Sequence, residues 1–419
     1  MSVDWFVQNY GKTSGYKNKY TILLYYYTIM DYDVGYKDAI DMILGLMKST
    51  TTYSIEQVSI LDPLYNEILE GMAFAKNQFD SNNVIMTIKN GRYMQVPPNS
   101  RFMPREIKHH ISSRMKRQIV YNLNMGHRAI TIRFGLFDNK HEMSELEYFA
   151  QMIISWMHTV VRYADYNCGK SQLVDIYFTD YKKKFPKSSV ITLGPINCNS
   201  GFSTACAEKN EITIFRSEEW FKVFLHESFH SLGLEPNHSS EVQLSNYIAE
   251  SLPITPKVSV SEAYVEVWAR IINVVYSAVI NSKGSNEFHN LLRFSLQLET
   301  LFSVYQAVRV LNFMNLDYES VIDRTSVVAK MLYKEDTHVF AYYIVSAAFM
   351  NDAIGFIRWC SNHNNKWLKF YNSHRTCKSF KRLMHNCLYD GSMSRCCKLF
   401  ESQKWTRQGL RFSIVESVI

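Results

Sequence analysis

Apolar and polar positions alternate along this chain with two different periods. Between 118 and 134 the period is two. Runs at 118–123 and 129–134 flank Asn124-Met125-Gly126 and predict a hairpin. Residues 84–88 and 93–96 predict a shorter hairpin, and 174–178, 190–193 and 211–216 predict single strands. The helical period governs 55–79 and 145–163. In the latter, Leu146, Phe149, Met152, Ile153, Met157 and Val160 share one side, and Ser144 with Glu147 fits a capping box. The basic stretch 101–117 reads as a linker. After residue 260 only helices are predicted, at 261–280, 287–313, 321–333 and 338–359. The expected fold is therefore α+β: a mixed sheet half, then a helical C-terminal subdomain. The expected regions are an N-terminal α/β part (1–110), the sheet half (111–260), a helical part (261–360) and a terminal segment (361–419).

Two greasy stretches, 21–30 and 339–350, are bounded by Asp31 and Asp33 and by Asn351 and Asp352. Both fall well short of the roughly 20 residues that cross a bilayer, so no transmembrane span is expected. The start, Met1-Ser2-Val3-Asp4-Trp5, lacks the basic-then-apolar order of a secretory signal, and an intracellular location is expected. Only 9 Pro and 16 Gly in 419 residues favour a compact, helix-rich protein. The eight cysteines form no Cys-x-x-Cys pair. Five follow residue 359, near His363, His374 and His385. They read as scattered thiols of a reducing compartment rather than a second metal site, although the even total also suits a disulfide framework. Net charge is +7, and from Lys366 onward eleven Lys or Arg face three acids. Trp367, Phe370, Tyr371, Phe380, Tyr389, Phe400 and Trp405 interleave with them. Such a segment could meet nucleic acid or an acidic partner, and a solvated basic face is the plainer reading.

The chemistry concentrates at His226-Glu227-Ser228-Phe229-His230. Histidines four apart on a helix share a face and can grip one metal ion, with Glu227 beside the bound water. The strand ahead of it, then Ser217 as N-cap with Glu218 and Glu219 in the first turn, and Gly233 as a stop, frame a mostly buried helix. Two histidines and a glutamate among Trp220, Val223, Phe224, Leu225, Phe229 and Leu232 would be costly without a partner. The competing reading is an amphipathic helix with two satisfied histidines. A third ligand must come from elsewhere. His238 is nearest but sits two residues beyond the position that His-Glu-x-x-His-x-x-Gly-x-x-His patterns require. Glu262 and Glu266 lie four apart in an apolar stretch, where paired carboxylates need a cation or donors.

His226-Glu227-x-x-His230 followed by Glu262-x-x-x-Glu266 resembles the glutamate-zincin branch of the zincin metallopeptidases, in particular the anthrax lethal factor-type peptidase domain. The match covers about seventy residues, from 200 to 270. The rest of the chain resembles uncharacterised His-Glu-x-x-His proteins of large DNA viruses, which implies a viral, virion-associated setting. The resemblance implies a zincin-like sheet with an active-site helix, one Zn²⁺ held by His226, His230 and Glu262, and Glu227 as general base. It further implies Glu266 as acceptor for the outer N–H of His226, although relatives carry Asp there. By position, Gly201, Phe202, Ser203, Thr204 and Ala205 would form the edge strand that binds substrate backbone. Tyr247 and Tyr264 are the oxyanion candidates by nearness. The implied activity is zinc-dependent peptide hydrolysis, with endopeptidase action on a polypeptide substrate. The rivals are an inactive zincin-type structural or virion protein, and a nucleic-acid-associated protein acting through the basic terminal segment.

Overall fold

The computed structural model describes residues 36–47, 52–138, 140–401 and 409–417. The stretch 21–30 and Trp405 lie outside them. The chain enters through α1 (Lys37–Met47) and α2 (Asp62–Asp80), and then forms a six-stranded mixed sheet. β2 (Arg117–Met125) and β3 (Arg128–Leu136) make the predicted hairpin. Met125 pairs with Arg128 across a two-residue turn in which Gly126 has φ +61°. Only a residue tolerant of the left-handed region suits that turn. β4 (Ser171–Tyr177) runs parallel to β3, and β6 (Lys209–Ile214) parallel to β4. β5 (Gly201–Ser203) closes the edge antiparallel to β6, giving the order β1-β2-β3-β4-β6-β5.

Several expectations are corrected on this half. β1 (Ile85–Asn90) has no partner at 93–96 and pairs with β2 instead. Gln95 needs no strand neighbour, because the Gln118 side chain accepts from its N–H and donates to its C=O, both at 3.1 Å. The stretch read as a linker carries α3 (Arg105–Arg114). Its Ile107 and Ile111 pack with Met103, Met115, Tyr177 and Phe215 in a small core under the sheet. Residues 190–193 form no strand; Val190 is 89% exposed and only Leu193 makes a bridge, to Glu335. The helix α4 (Met143–Val160) forms without the capping box, since it begins two residues early with Glu142 as N-cap and no side-chain cap bond.

The helices beyond the sheet are α5 (Trp220–Leu232), α6 (His238–Ser251), α7 (Val260–Asn281), α8 (Ser285–Phe313), α9 (Ser346–Asn351), α10 (Ala353–His363), α11 (His374–Tyr389) and α12 (Ser392–Glu401). The predicted helix 338–359 is broken. A π-helical turn, Phe340–Val345, precedes α9, and a bend of 89° at Asp352 separates α9 from α10. The predicted helix 321–333 is two short ones, Tyr318–Ile322 and Val327–Leu332. α7 is long and apolar enough to cross a membrane, but 94% of its apolar window is buried in the protein, as a core helix requires.

One contiguous apolar core runs from Tyr36 to Val415, across all four expected regions. α2 crosses α4 closely at Gly71, where a Cβ would lie 2.4 Å from Ser155 O of α4. Most of the described aromatics of the basic terminal segment belong to this core: Phe370, Phe380 and Phe400 are buried, and Trp367 Nε1 donates to Tyr163 at 2.7 Å, whereas Tyr371 is exposed. Two of its lysines are tied to the sheet half, Lys366 to Arg162 O and Lys369 to Asp165. Cys168 and Cys206 are disulfide-bonded, with Cα atoms 4.9 Å apart, tying the entry of β4 to the β5–β6 loop. The other six cysteines are free, and all but Cys396 are buried.

Candidate metal centre

The site is assembled on α5, α7 and the edge strand. α5 does not start as the sequence suggests. Ser217 donates to Thr179 O instead of capping, and Glu219 is the N-cap, in the left-handed region at φ 58°. That conformation is held from outside the helix, because the buried Glu219 carboxylate takes Lys183 Nζ and Ser413 N, each at 2.6 Å. Glu218 accepts from Lys183 N at 2.8 Å. Gly233 ends the helix at φ 64°, as expected.

On α5, His226 and His230 turn their Nε2 atoms toward each other, 3.1 Å apart. Glu262, on the first turn of α7 with Ser259 as N-cap, brings Oε2 to 3.2 Å from both. This triangle fits a metal ion. Tetrahedral zinc bonds of about 2.0–2.1 Å place ligand atoms roughly 3.3–3.4 Å apart. Among the described residues it is the one group of three His, Cys, Asp or Glu side chains whose donor atoms converge in this way. His238 is exposed at the start of α6 and outside the group.

No known protein family, curated protein or solved structure matches this chain.

The electrostatics of the group come from its own carboxylates. Burial opposes charge on His230, but Glu235 and Glu262 override it and hold the imidazole well above the ordinary histidine range. Burial likewise opposes charge on Glu262, yet His230 and His226 hold it well below the usual carboxylate range. Acids outnumber imidazoles here, which is the balance a divalent cation relieves. Glu227 sits beside the triangle, 7% exposed, and burial raises its carboxyl against the pull of both imidazoles. Its Oε2 accepts from Ser203 Oγ of β5 at 2.7 Å. Gly201 is required there. A Cβ would meet Val223 Cγ1 at 2.9 Å and Glu227 Oε1 at 3.1 Å.

The outer nitrogens of the imidazoles are treated differently. His230 Nδ1 lies 2.7 Å from Glu235 Oε2, just past the helix stop. His226 Nδ1 lies 3.1 Å from Glu266 Oε2, but off the direction of a linear hydrogen bond. Glu266 is engaged mainly elsewhere, accepting from Lys222 Nζ with both oxygens and from Arg270 Nε at 2.9 Å. Those two cations carry its carboxyl far below the usual range despite burial.

The oxyanion candidates do not reach the site. Tyr264 is buried and donates to Leu368 O at 3.1 Å, and Tyr247 pairs with His385 at 3.1 Å. The tyrosine at the cleft is Tyr342, in the π-helical turn, its ring 6.0 Å from that of His226. Burial and the carboxylates of Glu262, Glu227 and Glu266 keep its hydroxyl protonated. Arg270 Nη2 donates to its carbonyl at 3.1 Å, fixing the turn against α7. Glu235 and Tyr342 are the residues sequence reasoning missed. The signal for Glu235 was an acid next to a helix stop; 27 tyrosines hid Tyr342. The cleft holds about 170 Å³ of water-accessible space and is lined by Gly201, Phe202, Ser203 and Ala205 on one side and Tyr342 on the other. Of the five residues expected as edge strand, Gly201, Phe202 and Ser203 form β5. Thr204 and Ala205 follow it, with Thr204 N still bonded to Glu211 O at 2.9 Å.

Proposed function

We propose that this chain is a zinc-dependent peptidase, with His226, His230 and Glu262 as its metal ligands. The observation that carries the reading is the triangle of donor atoms at 3.1–3.2 Å with a buried glutamate beside it and an edge strand alongside. Zinc in such a site supplies a Lewis acid and a water acidic near neutral pH.

The chain's own residues do the rest. An extended substrate adds to β5 as a further strand, which lays its scissile carbonyl across the cleft. Glu227, raised by burial and steadied by Ser203, takes the proton of the attacking water and hands it to the departing amine. Tyr342 keeps its proton and donates a hydrogen bond to the carbonyl oxygen as charge develops there. Glu235 holds His230 with Nδ1 protonated, so that Nε2 presents its lone pair inward.

The test pairs elemental analysis with a peptide-library cleavage assay. Glu227→Gln keeps one zinc per chain and lowers turnover by roughly 10²–10⁴. Undiminished cleavage by that variant would remove Glu227 from its role. Stoichiometric zinc with no cleavage of any library member by the unmodified chain would leave a structural metal site in place of an enzyme.

A further inference from the structure

Away from the cleft, two neighbouring segments expose aliphatic side chains that folding does not bury. The parallel bridge between Leu193 and Glu335, with Asp336 N donating to Leu193 O at 2.8 Å, lays the chain before Leu193 alongside the chain before Glu335. The first segment presents Val190 and Ile191 to solvent. The second carries the helix Val327–Leu332, in which only Ala329 is buried. Val327, Val328, Met331 and Leu332 of that helix all point outward, Met331 at 69% exposure. Single exposed apolar residues are ordinary, but six on adjoining segments form a patch. Lys182 and Lys184 precede the first segment, and Lys330 and Lys334 lie in and after the helix, all exposed. Asp323 and Asp336 are exposed acids at its two ends.

We propose that this surface docks the protein on an anionic lipid bilayer. The aliphatic side chains enter the interfacial layer and the lysines meet the headgroups. Its composition separates a lipid from a protein partner. Protein interface cores gather aromatic residues, Met and Arg and are depleted in Lys; of the enriched types this surface carries only Met331 and the flanking Arg324. This patch pairs aliphatics with Lys and exposes no aromatic residue; Tyr333, within the segment, is buried against Phe340. Lysine stems lie along apolar surface while the ammonium reaches the headgroup layer. The short helix is already formed, with Ser326 Oγ accepting from Ala329 N at 3.2 Å, so docking orders little new chain. The patch also adjoins the cleft. Residues Glu335 to His338, directly after it, wall a recess that shares Phe102 with the metal-site cleft. The docking surface does not depend on the metal reading.

The experiment is co-sedimentation of the full chain with vesicles of phosphatidylcholine alone, or mixed with phosphatidylserine, at low and physiological salt. The chain binds the mixed vesicles at least about tenfold more tightly than the neutral ones, and salt weakens the binding. Val328→Asp combined with Met331→Asp weakens it more than about tenfold. Lys182→Gln combined with Lys184→Gln weakens it about 25-fold, near fivefold per lysine. Both double variants keep the parental melting temperature, since they change exposed side chains only. Failure to bind either vesicle overturns the proposal. So does equal binding by both variants, which would move the contact to another basic region. A chain that ignores vesicles but changes from dimer to monomer on Val328→Asp and Met331→Asp would make the patch a protein interface instead.

Discussion

The two walls of the metal cleft are built in opposite ways. One wall is local: β5, α5 and Glu235 come from 35 consecutive residues, 201–235, and supply both imidazoles, Glu227 and the edge strand. The other is gathered from afar. Glu262 and Glu266 come from α7, Tyr342 from a π-helical turn, and Phe412 from the terminal segment, packed against Tyr342 and over Lys222 Nζ. The local wall is held mostly by short-range bonds. The distant wall rests on buried charges, Lys222 and Arg270 on Glu266, and a further buried pair, Lys183 on Glu219, anchors the start of α5. Chemistry is thus placed by helix geometry, and charge balance by tertiary packing. Removing a group from either wall should fail in a way that reveals which.

The largest effect is expected where the walls meet. Glu262→Ala removes the carboxylate that joins them, and the purified variant should carry no stoichiometric metal after dialysis, by elemental analysis. Retention of a full equivalent would show that the local wall binds the ion alone. Next comes the distant wall. Lys222→Met leaves Glu266 with Arg270 and His226 only. Breaking one partner out of a buried ion pair costs about 3–5 kcal/mol, which denaturant unfolding would register. A cost under about 1 kcal/mol would mean that Arg270 suffices.

The contrast explains what could be read from the sequence. The α5 motif was legible because its information is local: four-residue spacing, a glycine stop, an apolar helix. Glu262 was legible through its pairing with Glu266 in an apolar stretch. The start of α5 was not, because Lys183 and Ser413 impose the backbone of Glu219 from 36 and 194 residues away. Tyr342 was hidden for the same reason. Periodicity at 338–359 reports an apolar helix and cannot show a π turn that aims one side chain into a cleft. The 93–96 strand failed because Gln118 satisfies the Gln95 backbone, a competition that alternation does not encode.

A third expectation concerns the network behind the distant wall. Glu299 of α8 is fully buried. Its Oε2 accepts from Ser413 Oγ at 2.9 Å and Ile414 N at 3.1 Å, while Oε1 has no hydrogen-bond partner. Burial, against the pull of Arg270, raises its carboxyl to about 7. A carboxyl raised on folding adds stability below its unfolded value of about 4.3, and that contribution is lost as pH rises through 7. Glu299→Gln cannot ionise. Relative to the variant, the parent chain should therefore lose on the order of 3 kcal/mol between pH 4.5 and 8. Parallel unfolding curves for the two proteins across that range would place the charge on another group.

The smallest expected effect sharpens the comparison most. Each imidazole has one acid on its outer nitrogen, Glu235 from the local wall and Glu266 from the distant one. Only Glu235 makes a short, well-directed contact, and it has no cation of its own among the described ion pairs, whereas Glu266 is held by two. Glu235→Gln should therefore weaken zinc about 10- to 100-fold with little change in stability, since the carboxylate that fixes the His230 tautomer is lost while its shape is kept. Glu266→Gln should do the reverse, costing stability first because Lys222 and Arg270 lose their counter-charge. Competition against a chelator of known affinity reads the first quantity, and denaturant midpoints read the second. Should Glu266→Gln weaken the metal as much as Glu235→Gln while leaving the midpoint unchanged, the distant wall would be orienting His226 directly, and the division between the walls would fall.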